Sequence, residues 1–337
     1  MNIFITGGTG YIGGEVTRRL LDEDHGVTIF TRDKVKLSGE VADKVKCIEG
    51  DIADSACVSR LDLKSLGIDI VIHLAASLDY FGDMKSLFKV NVLGTENILK
   101  VSLANGVNKF ILASSIEAMG LVKRDDMPAS EVSACRPVSA YGASKLEAER
   151  LVRRIWEKGG LDATILRLAN VYGPGSHALI EPIAKSILRR DELFIHLAFY
   201  NDRYIHPLYI SDAGEAFIRA CRSIKGLETY IIGGPEYVEI GTIFTLISSL
   251  LTSNVDRGGY KKDILEGIYL KLRIRLQRHR KKADLLSYFM TGEAERVHRA
   301  YSTEKAKKKL SYSPRVNIED GVEKTLQWLR TEGLLTL

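Results

Sequence analysis

The sequence predicts an α/β fold in which a doubly wound parallel sheet carries a second, smaller lobe. Apolar, β-branched runs recur along the first half of the 337-residue chain, and helical patterns separate most of them. The runs are NIFITG, GVTIFTR, KVKCIEGD, DIVIHLAA, KFILASS and ATILRLANVYG. Strands that alternate with helices predict a parallel sheet covered by helices on both faces. Ligands of such sheets bind beyond the carboxyl ends of the strands, where the strand order reverses.

The alternation becomes irregular from about Gly173, which indicates where the second lobe begins. We expect residues 1–172 to form the sheet domain, with a later return of the chain at about 206–234. Residues 173–205 and 235–337 would then form the smaller lobe. No internal repeat or low-complexity linker separates these parts, so we expect an interleaved C-terminal lobe that closes a substrate cleft.

Composition excludes several classes of protein. Hydrophobic residues make up 45% of the chain and charged residues 27%, which is typical of a globular enzyme. The formal net charge of +5 is too small to indicate a nucleic-acid partner, and no apolar run approaches the roughly 18 residues of a membrane span. The cysteines, Cys47, Cys57, Cys135 and Cys221, show neither CxxC nor metal-ligand spacing. With a strand rather than a signal peptide at the start, we expect a cytoplasmic protein with reduced thiols and no metal site.

Residues 2–21, NIFITGGTGYIGGEVTRRLL, place a strand, a glycine-rich turn and a helix in direct succession. Gly7, Gly10 and Gly13 lack a Cβ atom, so they permit tight turns and a close approach of a ligand. A helix N-terminus offers unpaired N–H groups and a positive dipole end, both of which suit a pyrophosphate. Because the strand and the helix flank the glycines directly, this stretch predicts a Rossmann-type NAD(P)-binding domain.

The end of the second predicted strand bears on the choice of dinucleotide. Arg32 lies 19 residues beyond Gly13, where a carboxylate commonly binds the ribose of NAD and an arginine accommodates the 2′-phosphate of NADP. Lys34 and Lys36 add positive charge nearby, whereas Asp33 is a counter-signal that would suit NAD. NADP is therefore favoured over NAD.

The stretch AYGASKLEAERLV carries a candidate proton-transfer pair. Tyr141 and Lys145 are four residues apart, which places them on one face of a helix. A nearby ammonium stabilises tyrosinate and lowers the pKa of the phenol towards neutrality. Upstream, Ser114 and Ser115 end a predicted strand, where a hydroxyl would orient the same substrate oxygen.

These motifs together resemble the extended short-chain dehydrogenase/reductases, also called the NAD-dependent epimerase/dehydratase family. Matching stretches follow in order along nearly the whole chain: TGGTGYIG, GDIAD, HLAA, VNVLGTENIL, YGASK, LRLANVYGPG and YSTEKAKKKLSYSPRVNIEDGVEKTLQWL. The resemblance implies a homodimer and a catalytic set of Ser115, Tyr141 and Lys145, with Ser114 as the alternative if the register shifts by one. Together with Arg32, it implies the cofactor-binding residues Gly7, Thr9, Gly10, Tyr11, Ile12, Gly13, Asp51, Ile52, Leu74, Ala75, Ala76, Asn91, Tyr141 and Lys145. Leu168 stands where the family usually has a proline near the nicotinamide.

The pattern is most similar to the dihydroflavonol reductase-like and 3β-hydroxysteroid dehydrogenase-like branch, with nucleotide-sugar epimerases and dehydratases second. Asn170 matches a substrate-side position of the epimerases, and Tyr80, beside Phe81, would face the cleft. His206 is a further substrate-contact candidate, with a packed or surface histidine as the alternative, and His73 is expected to be structural. For the second branch, Glu117 is a candidate acid, and Arg203, Arg296 and Arg299 are candidates for a diphosphate clamp or surface residues.

The resulting hypothesis is an NAD(P)-dependent oxidoreductase that transfers hydride at a carbinol or carbonyl carbon of a small molecule. In this hypothesis Tyr141 moves the proton, Lys145 tunes Tyr141 and holds the ribose, and Ser115 positions the substrate oxygen. One alternative is a nucleotide-sugar epimerase or dehydratase with tightly bound NAD(P). A second alternative is a non-catalytic dinucleotide-binding scaffold or sensor.

Residues 260–282 form a basic amphipathic pattern. Its apolar positions fall on one helical face and its lysines and arginines on the others. A solvated helix of the second lobe is favoured, and the alternative is a peripheral membrane contact through anionic headgroups.

Overall fold

The protein is described by a computed structural model that covers residues 1–33, 40–78, 83–189, 203–252 and 297–335. The strands are β1 (Asn2–Thr6), β2 (Gly26–Thr31), β3 (Lys46–Glu49), β4 (Ile70–His73), β5 (Lys109–Ser115), β6 (Val122–Lys123), β7 (Asp162–Leu168), β8 (Asn170–Tyr172), β9 (Tyr204–Ile205), β10 (Pro207–Tyr209), β11 (Leu227–Ile232), β12 (Val238–Glu239) and β13 (Val297–His298). The helices are α1 (Tyr11–Asp22), α2 (Glu40–Lys44), α3 (Ser55–Val58), α4 (Met84–Phe88), α5 (Gly94–Ala104), α6 (Ala140–Glu157), α7 (Ile180–Leu188), α8 (Ile210–Ser223), α9 (Ile240–Thr252), α10 (Glu304–Leu310) and α11 (Ile318–Thr331).

Seven parallel strands form the central sheet in the order β11-β7-β5-β4-β1-β2-β3. The chain runs outward from β1 to β3 and then crosses back to β4, so the order reverses between β1 and β4. The carboxyl ends of these two strands, Thr6 and His73, lie side by side in register. The predicted fold class is confirmed, and the reversal point is where such sheets bind ligands.

The sheet is covered on both faces because successive residues of a strand point to opposite sides. Ile3 and Ile5 of β1 enter a core with α1 and α8, whereas Phe4 enters a second core with α5 and α6. All three side chains are fully buried. The apolar runs of the sequence therefore read as continuous rather than alternating, as expected for parallel strands buried on both faces.

A third hydrophobic cluster lies in the C-terminal part of the chain. It joins Tyr172 and Tyr209 to apolar residues of α7, α9 and α11, among them Ile183, Phe244 and Leu326. This separate core supports the smaller lobe that the sequence predicts. The residue boundaries of the two domains stay a prediction. In the described ranges, no helix is both long and apolar enough to span a bilayer.

Candidate active site

A cavity of about 340 Å³ opens at the carboxyl ends of the central strands, at the reversal point of the sheet. Every predicted cofactor-binding residue except Asn91 lines it. The other lining residues are Phe30, Thr31, Asp33, Gly50, Leu78, Val90, Ala113, Ser114 and Leu168. Most of these additional lining residues are neighbours in sequence of the predicted cofactor-binding residues and lie at the same strand ends. Their position at the end of a strand is the sequence feature that could have identified them.

The glycine turn packs tightly against the neighbouring strand. Gly7 has φ +73°, and a Cβ atom there would lie 2.6 Å from the backbone nitrogen of Ala75. A Cβ atom on Gly13 would lie 1.9 Å from the carbonyl oxygen of Gly7. Gly10 caps α1 without a side-chain hydrogen bond, so no side chain of the cap residue covers the first turn. This cradle fits the pyrophosphate of a dinucleotide, which helix N–H groups bind well.

One rim of the cavity is formed around Thr31. Its Oγ1 accepts from the backbone N–H of Asp33 at 3.2 Å and lies 3.3 Å from Thr9 Oγ1, which ties the end of β2 to the glycine turn. Arg32 is exposed and Asp33 half-buried, and both line the cavity. The arginine that would favour NADP and the aspartate that would favour NAD therefore lie at the same rim of the cavity.

Tyr141 and Lys145 lie one turn apart on α6, whose N-terminus is capped by Ser139 Oγ, which accepts from Gly142 N at 3.0 Å. Both side chains line the cavity, and only 6% of Tyr141 and 4% of Lys145 is exposed. Burial lowers the pKa of Lys145 to about 8, and nearby Glu149 opposes that shift. Tyr141 and Lys145 therefore lie one turn apart on α6, and both are buried in the wall of the cavity.

The two serines at the end of β5 differ in their partners. Ser114 Oγ donates to Glu149 Oε1 at 2.6 Å, and the same carboxylate accepts from Arg167 Nε at 2.9 Å and Nη2 at 2.7 Å. Ser115 Oγ instead accepts from the backbone N–H of Glu117 at 3.1 Å. That bond does not use the hydroxyl proton of Ser115. Ser114 rather than Ser115 lines the cavity, so the contact of Ser115 with a substrate stays a prediction.

Asn91 lies in a π-helical turn, Lys89–Leu93, before α5. Its amide nitrogen donates to Ser77 O at 3.0 Å and to Ser144 Oγ at 2.9 Å, and its Oδ1 accepts from Ser77 N at 2.7 Å. Ser144 Oγ in turn donates to the carbonyl oxygen of Tyr141 at 2.7 Å. These bonds attach the segment after β4 to α6. A direct cofactor contact by Asn91 stays a prediction.

The two predicted histidines are both buried. His73 Nδ1 lies 2.7 Å from Thr6 Oγ1, and its Nε2 lies 3.0 Å from Thr95 Oγ1. His206 is 2% exposed, its Nε2 donates to Gly234 O at 3.2 Å, and burial lowers its pKa to about 4. These surroundings favour the packing alternative for His206, whose substrate contact stays a prediction. Asn170 N donates to His206 O at 3.0 Å, and its substrate contact also stays a prediction.

Several predicted features lie outside the described residues. These are the substrate candidates Tyr80 and Phe81, the lysines Lys34 and Lys36, the clamp candidate Arg296 and the basic segment 260–282. Arg299 is described, and it forms an ion pair with the buried Glu117. The side chain of Arg299 therefore points towards the serine strand of the site.

Comparison with known proteins identifies the family. The model of the NAD dependent epimerase/dehydratase family matches residues 3–233. The mouse dTDP-D-glucose 4,6-dehydratase is 27% identical to this chain, over 97% of this chain and 88% of its own length. The UDP-glucose 4-epimerase of Thermotoga maritima, solved with UDP-glucose, superposes with a TM-score of 0.74 at 25% identity, over 98% of this chain and 99% of that one. The Bordetella bronchiseptica enzyme WbmG, solved with NAD, has the same fold, with a TM-score of 0.75 at 19% identity over 99% and 95% of the two chains. The chain therefore belongs to the NAD-dependent epimerase/dehydratase family of extended short-chain dehydrogenase/reductases and is an NAD(P)-dependent enzyme of that family.

Proposed function

We propose that this enzyme acts on a nucleotide sugar, and that it inverts a carbinol centre of the sugar by oxidising it and reducing it again. The observation that carries this proposal is the placement of Tyr141 and Lys145, both buried, on the wall of the dinucleotide cavity. Two relatives in the comparison are named for UDP-glucose and dTDP-glucose chemistry. They support the nucleotide-sugar alternative over the reductase branch that the sequence alone favoured.

A bound nicotinamide dinucleotide would supply the hydride acceptor and donor, and the protein residues manage the proton. Tyr141 takes the proton from the sugar hydroxyl as the carbonyl forms and returns it when the carbonyl is reduced. Lys145 stabilises the tyrosinate because its ammonium lies one helical turn away. Ser115 donates its hydroxyl proton to the same substrate oxygen. The oxygen of that hydroxyl accepts from Glu117 N, and this bond does not use the proton.

Glu117 supports epimerisation over dehydration. Elimination of water from a sugar needs a further acid or base beside the tyrosine, and Glu117 is the carboxylate that follows the serine strand. Its Oε1 accepts from both Nε and Nη2 of Arg299, at 3.0 and 2.9 Å. A carboxylate engaged in this way is poorly placed to exchange protons with a substrate, so dehydratase activity is the second candidate.

The preference for NADP over NAD stays a prediction that rests on Arg32. Asp33, which lines the same rim, favours NAD, and a structural relative was solved with NAD. The homodimer and the cytoplasmic location also stay predictions. Of the predicted partners, only the small-molecule substrate forms part of the proposed function.

The test is incubation of the full chain with UDP-glucose or dTDP-glucose, each with NAD and with NADP. NMR and mass spectrometry of the sugar would follow the reaction. We expect a product of unchanged mass with one inverted centre and no net change in the dinucleotide. A product lighter by one water would instead establish the dehydratase, and stoichiometric reduction of the dinucleotide would establish a net dehydrogenase. Either result would overturn the proposed epimerase activity, and so would a failure to convert either sugar. The Tyr141→Phe variant serves as the inactive control.

A further inference from the structure

Glu117 connects three parts of the active site. It lies in the short 3₁₀ turn Ile116–Ala118 between β5 and the start of α6, and only 7% of it is exposed. Its backbone N–H donates to Ser115 Oγ at 3.1 Å. Its carbonyl oxygen lies against α6, where a Cβ atom on Gly142 would approach to 2.2 Å. The backbone of Glu117 thus contacts both the serine and the helix of Tyr141.

The side chain of Glu117 reaches the C-terminal part of the chain, 182 residues away in sequence. Arg299 follows β13, which pairs with β6 just beyond the Glu117 turn. The backbone N–H of Arg299 donates to Tyr204 O at 2.9 Å, and the neighbouring Tyr301 donates from Oη to Gly120 O at 2.6 Å. Arg299 is therefore held at both its backbone and its guanidinium.

Burial makes the pair sensitive to the loss of either partner. The side chain of Glu117 is 8% exposed and that of Arg299 25%. Besides Arg299, the Ser139 hydroxyl lies 3.5 Å from Glu117 Oε2, which is too long for a strong bond. A buried carboxylate that loses its cation is strongly destabilised where it stands. The turn would then move to let water reach the carboxylate, and Ser115 would move with it.

We propose that the Glu117–Arg299 ion pair is a positioning pair, which sets the Ser115 hydroxyl relative to Tyr141 from the C-terminal part of the chain. Neither residue is assigned a chemical step. The inference rests on the catalytic set of the proposed function, and it does not depend on which sugar is the substrate. It also predicts that active-site geometry responds to displacement of the 297–301 segment.

The test compares Arg299→Ala, Arg299→Lys and Glu117→Gln with the unmodified enzyme. Arg19→Ala is the matched control, because Arg19 is 24% exposed and pairs with Glu215 across α1 and α8. We expect Arg299→Ala to lower kcat about tenfold to a hundredfold, as small displacements of catalytic groups do. The KM for the sugar and the Kd for the dinucleotide should stay within about twofold. Arg299→Lys should recover part of kcat, and Arg299→Ala combined with Glu117→Gln should cost no more than the worse single change.

A second readout needs no substrate. Hydrogen exchange of the amides of Glu117 and Gly142 should accelerate in Arg299→Ala and stay unchanged in Arg19→Ala, since the first variant frees the turn and the second does not. If exchange accelerates in Arg299→Ala but the enzyme converts neither sugar, the role of the Glu117–Arg299 pair is supported. That result would contradict only the proposed function. Unchanged exchange would overturn the positioning pair. So would a rise in KM at constant kcat, which would make Arg299 a substrate ligand, or an equal loss of kcat in Arg19→Ala.

Discussion

Ser114 and Ser115 are adjacent in β5, yet their hydroxyl groups have different hydrogen-bond partners. Ser114 Oγ donates to Glu149 at 2.6 Å inside a buried ion pair with Arg167. Ser115 Oγ accepts from the backbone N–H of Glu117 at 3.1 Å, and Ser114 rather than Ser115 is among the residues that line the cavity. Successive strand residues face opposite sides of the sheet, so the two hydroxyls lie in different surroundings.

The first prediction separates these serines. Ser115→Ala should lower kcat by about a hundredfold, the usual cost of losing one donor to a developing oxyanion, with little effect on the unfolding temperature. Ser114→Ala should lower the free energy of unfolding by roughly 1.5–3 kcal/mol, because it removes a hydrogen bond to a charged group, and should leave kcat largely intact. Steady-state kinetics and thermal unfolding of both variants check this. The reverse pattern would move the catalytic role to Ser114.

The second prediction concerns Tyr141. Tyr141→Phe keeps the buried ring and removes only the hydroxyl, so the fold and the Kd of the dinucleotide should be nearly unchanged. Turnover should fall about a hundredfold to ten-thousandfold, which is the typical contribution of a general acid–base. The pH–rate profile should also lose one ionisation that lies below that of a free tyrosine. Near-normal turnover by the variant would place the proton transfer elsewhere.

The third prediction concerns Lys145, whose pKa burial lowers from 10.5 to about 8. Between these two values the unfolded chain binds more protons than the folded one, so the free energy of unfolding rises with pH in that window. Below pH 8 both states are protonated, and the folded protein carries the whole cost of the buried ammonium, about 3 kcal/mol. Lys145→Met should therefore be inactive but unfold at a higher temperature at pH 7.

Thermal unfolding of both proteins from pH 7 to 10.5 tests the Lys145 prediction. The difference in unfolding temperature should shrink as the pH rises above about 8, because the wild-type ammonium is then neutralised. A difference that does not depend on pH would show that packing, rather than charge burial, separates the two proteins.

The fourth prediction concerns cofactor choice at the rim of the cavity. Fluorescence titration should show tighter binding of NADP(H) than of NAD(H), and Arg32→Ala should abolish most of that preference. The loss should amount to about tenfold to a hundredfold, as for a charge-assisted contact worth roughly 1.5–3 kcal/mol. Asp33→Ala is the paired variant, and it should weaken NAD instead. Equal or tighter binding of NAD by the unmodified enzyme would refute the prediction. It would indicate that Asp33, rather than Arg32, determines the choice of dinucleotide.

The sequence by itself determined the features that local patterns encode. The apolar runs predicted β1 to β5 and β7, and the flanked glycines predicted the turn into α1. The spacing of Tyr141 and Lys145 predicted that they share a helix face. Each of these depends on residues within about one turn or one strand of each other, and local backbone preferences are sufficient to specify them.

Only the tertiary structure decided which side chains meet. The different partners of Ser114 and Ser115, the burial of His206 against Gly234 and the pairing of Glu117 with Arg299 all join segments that are distant in sequence. Glu117 and Arg299 had each been noted from the sequence, as an acid candidate and as a clamp or surface residue. No local pattern could pair them, because the contact exists only once β13 lies beside β6 and the buried carboxylate needs a cation.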